Sequence, residues 1–192
     1  IHKSIQSTLQ EQDRMRGRIN QQSIVLRENF LTHVLRGELQ DEFLNKTSFP
    51  SYDIWFDEEK FIVVLLYLNN YMDSYELSKF IVTNIFEELI NRNYKGYIVE
   101  MDEMVVCIIN GTDETQEKWV AMIEAIIYQT KEILLNEFQI TITIAVSDVH
   151  DSLIGVSQAY EEAFSAMEYR MMSGDKYAED IIYYKQIQQP SR

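Results

Sequence analysis

The apolar positions of the first 36 residues recur at helical spacing. Positions 5, 9, 12, 16, 19, 23, 26 and 30 trace a heptad seam in which Ile5, Leu9, Ile19, Leu26 and Phe30 are apolar and Gln12, Arg16 and Ser23 interrupt. This predicts one long helix, or two in tandem, with thirty residues spanning ~45 Å. Gly17 weakens it. A seam so broken suits a helix that shifts register more than a permanent zipper. Between Ile24 and Leu35 the pattern becomes denser, with Leu26, Phe30, Leu31, Val34 and Leu35 placed on one face. Gly37 is a natural C-cap. A second short helix is expected through Phe43 and Leu44, and Phe49-Pro50-Ser51 breaks the chain.

Beyond residue 51 the period alternates between strand and helix. Phe61 to Leu68 is apolar throughout, which predicts a central strand covered on both faces. A helix from about Ser74 to Asn91 is expected to bury Leu77, Phe80, Ile81, Ile85 and Leu89. Two strands follow, Gly96 to Glu100 and Met104 to Asn110, joined by a tight turn at Met101-Asp102-Glu103. Thr115 caps a helix that runs to about Asn136 with Trp119, Ile123, Ile126, Ile127, Ile133 and Leu134 inward. Ile140 to Val146 alternates with period two, predicting a strand with one wet face. Asp151 or Ser152 starts a last helix that reaches Met172 and stops at Gly174, and Ile181 to Tyr184 forms a final strand. Two β-α-β units sharing one antiparallel sheet make a ferredoxin-like palm, an α+β fold, here preceded by a helical linker. The expected division is a stalk over residues 1–23, a lead-in helix and connection over 24–50, and the palm over 51–192.

Composition narrows the function. With 192 residues, 46% apolar and 12% aromatic, the chain is large enough for one well-formed core. The net charge of −14 is uneven: residues 1–40 carry +2 and the remainder −16. A globular part at −16 repels phosphates, so direct nucleic-acid binding by these residues is not expected. The lone Cys107 lies in an apolar run and reads as an inert strand residue, consistent with a reducing compartment. The longest apolar run, residues 61–68, falls far short of the ~18 residues a membrane span needs. His2, His33 and His150 are isolated, with no Cys or His at zinc-ligand spacing. There is no Walker lysine loop and no Gly-x-Ser-x-Gly elbow. The chain starts on Ile1, and the expectation is of a segment of a longer protein.

Several phrases carry a resemblance. Leu26-Arg27-Glu28-Asn29-Phe30-Leu31-Thr32-His33-Val34-Leu35-Arg36-Gly37-Glu38, Asn84-Ile85-Phe86-Glu87-Glu88 and Ala159-Tyr160-Glu161-Glu162-Ala163-Phe164-Ser165-Ala166-Met167-Glu168-Tyr169-Arg170 stand in order around the strands described above. Over about residues 24–185 the chain resembles the GGDEF domain of diguanylate cyclases. More closely, it is similar to the degenerate GGDEF-like domain in the middle of membrane-bound AraC-type transcription regulators of Gram-positive bacteria. The resemblance implies a cytoplasmic part of a membrane protein, dimeric through its N-terminal helix, with a helix-turn-helix pair downstream that binds DNA.

The resemblance also locates a degenerate motif. Glu100-Met101-Asp102-Glu103-Met104 occupies the place of Gly-Gly-Asp-Glu-Phe, keeping the acidic pair Asp102 and Glu103 and losing both glycines that let a nucleotide approach. Tyr67 and Asn69 stand where a cyclase has an Asp-x-Asp pattern, and neither offers magnesium a carboxylate. Met171 takes the place of a phosphate-binding lysine. Three such losses argue against two-metal phosphoryl transfer. Tyr67, Tyr71, Tyr75, Tyr94 and Tyr97 are expected to fill the former nucleotide pocket. The leading expectation is therefore a non-catalytic relay and dimerisation domain without metal or other cofactor. The alternative is a sensor that binds GTP or cyclic di-GMP without turnover.

Overall fold

A computed structural model of the chain describes residues 2–38, 49–111, 115–174 and 180–188. The short helix expected through Phe43 and Leu44 lies outside the described residues, as does the side chain of Ile19. The N-terminal helix α1 is continuous from His2 to Arg36. It ends where Gly37 takes a left-handed φ of 67° and the Glu38 amide reaches back to the His33 carbonyl at 3.0 Å.

The strands are β1 (Phe61–Leu68), β2 (Lys95–Met101), β3 (Met104–Asn110), β4 (Ile142–Val146) and β5 (Ile181–Tyr183). They form one sheet in the order β2-β3-β1-β4-β5. β1 lies antiparallel to both β3 and β4, β2 and β3 make a hairpin, and β5 joins β4 in parallel. The helices between them are α2 (Tyr75–Asn91), α3 (Gln116–Phe138) and α4 (Val156–Met172), with a last turn α5 (Tyr184–Ile187). The α+β palm with its preceding helix is the architecture read from the sequence.

The two-sided apolar character of β1 dictates the layers. Phe61, Val63 and Leu65 point to one face, where the end of α1 and α4 cover them. Ile62, Val64, Leu66 and Leu68 point to the other, beneath α2 and α3. Ser74 caps α2 by accepting from the Leu77 amide at 3.1 Å, and Thr115 caps α3 by accepting from that of Lys118 at 3.4 Å. At the end of α2 the Ile90 side chain packs directly on the backbone of β2. A Cβ at Gly96 would lie 2.5 Å from Cγ2 of Ile90, so only glycine fits there.

Four sequence expectations need correction. The face of α2 that is buried is Ser78, Val82, Phe86, Leu89 and Ile90, whereas Leu77 and Phe80 are exposed and Ile81 and Ile85 half-buried. Ser78 lies on that buried face, with its hydroxyl bonded to the Met72 backbone. β4 has no wet face: Thr143 and Ala145 are buried, small enough to admit α4 over them. Strand pairing starts at Ile142, two residues later than the alternation suggested. On α1, Phe30 is not available to a seam. It is 6% exposed, stacked on Tyr52 at 4.5 Å, and belongs to the palm's core, while Leu26, expected on that packing face, is 54% exposed.

Among the described side chains, burial on α1 thus begins at Phe30, with only Arg27 partly covered before it. Removing residues 1–23 should leave the urea-unfolding midpoint and slope of the palm unchanged, whereas Phe30→Ala should cost ~3–5 kcal/mol. A truncated chain that unfolds at distinctly lower urea would contradict this assignment of the core.

Candidate functional site

The hairpin that carries the acidic pair is the tightest turn in the sheet. Met101 pairs with Met104, leaving Asp102 and Glu103 as a two-residue loop with φ values of 52° and 64°. Two successive left-handed residues make a type I′ turn, whose backbone twist matches the flanking strands. Glycine or asparagine adopts this conformation cheaply. Asp and Glu pay on the order of 1–2 kcal/mol each.

Two tyrosines hold the turn from opposite sides of the sheet. From the α4 side, the Tyr160 hydroxyl donates a short hydrogen bond to the Asp102 carboxylate. From the α2 side, the Tyr75 hydroxyl reaches the Glu103 carbonyl at 3.4 Å. Burial, the hydrogen bond to Asp102 and the Asp102 charge together hold the Tyr160 hydroxyl well above the usual tyrosine range. The Arg36 guanidinium at the end of α1 acts in the opposite direction, so α1, α4 and the hairpin meet electrostatically at this phenol. Tyr75 is raised by burial first and by the Glu100 carboxylate second.

Glu100 is likewise engaged. Lys79 of α2 donates to it at 2.7 Å, pairs with Glu76 at 2.9 Å, and sits 5.4 Å from the centre of the Tyr75 ring. The hydrogen bond to Glu100 strengthens the lysine's hold on its proton and raises its pKa.

The end of β1 is tied to the start of β4. Asn69 Oδ1 accepts from the Thr143 hydroxyl at 2.9 Å. Asn70 Oδ1 accepts from the Thr141 amide at 2.6 Å and hydroxyl at 2.9 Å, while its Nδ2 donates to the Gln139 carbonyl at 3.0 Å. Tyr67 packs on the α1–α4 side, not toward α2. Met171 stands about three turns beyond Tyr160 along α4, ~16 Å away along the axis, and is 47% exposed. The structure therefore gathers Tyr67, Asn69, Glu100, Met101, Asp102 and Glu103 at one end of the sheet, with Tyr67 and Met101 both on the α1–α4 face, and leaves Met171 apart.

The tyrosines do not fill one pocket. Tyr71 and Tyr75 meet edge to face at 5.8 Å near the hairpin. Tyr94 is buried beneath the end of α2, and Tyr97 packs against Phe56 while its oxygen accepts from the Trp55 amide at 2.6 Å. A period-two strand placed Tyr97 on the opposite face from the α2 cluster. The cavity beside the hairpin, about 330 Å³, is lined by Asp102, Tyr160, Glu161, Phe164 and Ser165. Among the described residues its two carboxylates face no basic side chain in the lining, an arrangement that repels phosphate.

Lys79, Tyr160, Tyr75 and Asn70 were not singled out from the sequence as holding the motif. Their partners lie 21 to 71 residues away, too far to leave a local pattern. His33 pairs with Glu38 and His150 with Glu162, at 2.7 and 2.6 Å. Cys107 is buried in β3, which pushes its thiol up and leaves it unreactive at neutral pH. Among the described residues no helix is long and apolar enough to cross a membrane.

A two-residue acidic hairpin in a palm of order β2-β3-β1-β4 is the mark of the GGDEF class, and comparison with protein-family models agrees. The model described as GGDEF-like domain matches residues 55–169, more than half of the chain, and the chain belongs to that family. No curated protein matches the sequence.

The Tyr160–Asp102 contact yields a pH prediction. An unfolded tyrosine ionises near pH ~10. Folded Tyr160 keeps its proton to higher pH, so its contribution is complete below pH ~10 and is lost as pH rises further. Tyr160→Phe should cost ~1 kcal/mol at pH 8 and flatten, in part, the loss of stability between pH 10 and 11. Urea unfolding at the three pH values checks this. An unchanged alkaline slope in the variant would contradict it.

Proposed function

We propose that this GGDEF-like domain is a non-catalytic relay and dimerisation module in an AraC-type transcription regulator. It couples a membrane sensor, through α1, to a helix-turn-helix domain elsewhere in the regulator. The observation that carries the reading is the internal engagement of the motif. Glu100 is held by Lys79, Asp102 by Tyr160 and Asn69 by Thr143, so three of the motif-end side chains, one of them from the retained acidic pair, are hydrogen-bonded within the fold. The place of the first-strand ligands is taken by Tyr67 and Asn69, and Met171 supplies no charge for phosphate. Such a palm retains shape and rigidity and gives up the chemistry.

The stalk supports the second half of the reading. Ile5, Leu9 and Leu26 are 53–55% exposed on a helix whose first 25 or so residues project from the palm. Met15, Ile24 and Val25 are exposed as well, off the heptad register. Apolar residues so displayed gain by pairing with a second copy, while Arg16 would oppose its symmetry mate in a parallel pair and weaken it. A marginal dimer of this kind responds to a small input. The far end of the same helix reaches the palm core at Phe30 and the Tyr160 phenol through Arg36. A twist of the stalk is thereby delivered to both α4 and the hairpin.

Replacing Arg16 and Ser23 together with Leu should tighten dimerisation of the chain by at least ten-fold, read by sedimentation. In the full-length regulator it should lock a reporter in one output state, whether or not the outer signal is present. If the variant dimerises no better and the reporter still responds, α1 is only a tether and the relay reading fails.

A further inference from the structure

A second cavity lies away from the motif. It measures about 690 Å³ and runs between the N-terminal half of α3, the end of β4 and the β5–α5 junction. Its origin is topological. The crossover helix α4, which leads from β4 to β5, packs on the α1 face of the sheet. On the opposite face the α2–α3 pair leaves a strip beside β4 and β5 uncovered, and that strip is the cavity.

The lining is apolar below and acidic above. Ile62, Ile123 and Val146, all 3% exposed or less, form the floor, and Val120 and Val149 the walls. Glu117, Glu124 and Asp148 stand on the rim, against a single lining cation among the described residues, Lys185. Glu117 and Glu124 are two turns apart on the same side of α3, and the small Ala121 between them leaves the space open. Among the described residues none of these three carboxylates is in an ion pair, whereas the neighbouring Lys60 is taken up by Gln116 and Asp151. Glu124 and Asp148 are half-buried, so their charges are only partly screened by solvent.

Two alternatives for the occupant fail on this geometry. An anion would face three carboxylates and one lysine. A bare metal ion needs converging ligands, and no group of three or more acidic, His or Cys side chains among the described residues is placed to hold one. Carboxylates spread around an apolar floor suit an extended ligand with charge at its edge and hydrocarbon at its centre. The volume is in the usual ~300–1,000 Å³ range of small-molecule sites. We propose that this cavity binds a small organic cation with an apolar body, an alkyl or aromatic amine. The hydrocarbon lies over Ile62, Ile123 and Val146 and the ammonium is received by Glu117, Glu124 and Asp148. The site is independent of the hairpin and of the relay reading.

Phenethylamine is a suitable probe, with phenylacetate as the same ring carrying the opposite charge. In ¹H–¹⁵N spectra of the chain, phenethylamine should shift the amides of Val120, Ala121, Glu124 and Val146 to Val149 saturably, and phenylacetate at equal concentration should not. Neutralising the rim with E117Q, E124Q and D148N should weaken the amine at least ten-fold, and Val120→Trp, which fills the cavity from its wall, should abolish the shifts. If the triple variant loses its fold, E117Q with E124Q, both on α3's outer side, gives the same reading. No saturable shift at these amides, equal shifts with both probes, or undiminished binding to the neutralised variant would overturn the proposal.

Discussion

A single strand with no polar residue on either side sets the terms for this fold. β1 is buried from Phe61 to Leu66 without a break, and an apolar strand of that kind is stable only when both faces of its sheet are covered. Antiparallel neighbours β3 and β4 close its edges, and helices must pack above and below. α2 and α3 form one layer, and α4 with the end of α1 the other. The long N-terminal helix is consequently not an appendage to a finished domain. Its last two turns supply Phe30, Leu31, Val34 and Leu35 to the core, so the part that projects and the part that packs belong to one continuous helix.

The same constraint assembles the motif end. Because β1 and β2 are parallel with β3 between them, the exit of β1, the β2–β3 turn and the start of α2 lie side by side. In a nucleotide-processing palm that convergence would concentrate ligands on metal and phosphate. Here it concentrates Lys79, Tyr75, Tyr160 and Thr143 on the acidic and amide groups present. The two left-handed residues of the turn carry a conformational cost, and the tyrosine hydroxyls on either side offset it. Tyr160 connects the turn to α4, and Arg36 brings the end of α1 within reach of the same phenol.

Much of this was legible in the sequence, for definite reasons. Uninterrupted apolar runs located β1 and β3, and turn and cap residues located the hairpin, Ser74, Thr115 and Gly37. Where reading failed, a neighbour distant in sequence decided the outcome. Alternation in β4 suggested a wet face, but α4 returns over Thr143 and Ala145. The apolar stripe chosen for α2 included Leu77 and Phe80, whereas the helix buries Val82, Phe86, Leu89 and Ile90 with Ser78 beside them and leaves those two exposed. Phe30 fitted a heptad as well as a core, and only the placement of α1 against Tyr52 separates the two. The acidic pair was visible as a motif. Its partners were not, because no local pattern encodes a lysine or tyrosine that arrives from another element.

The proposed relay role rests on a motif end in which Glu100, Asp102 and Asn69 are taken up by Lys79, Tyr160 and Thr143. Calorimetric titration of the chain with GTP and with cyclic di-GMP, each with and without magnesium, tests it most directly, with the GTP mixtures afterwards assayed for cyclic dinucleotide. The account predicts no saturable heat and no product in any combination. Saturable magnesium-dependent binding, or product that disappears in a Glu103→Ala variant, would contradict it.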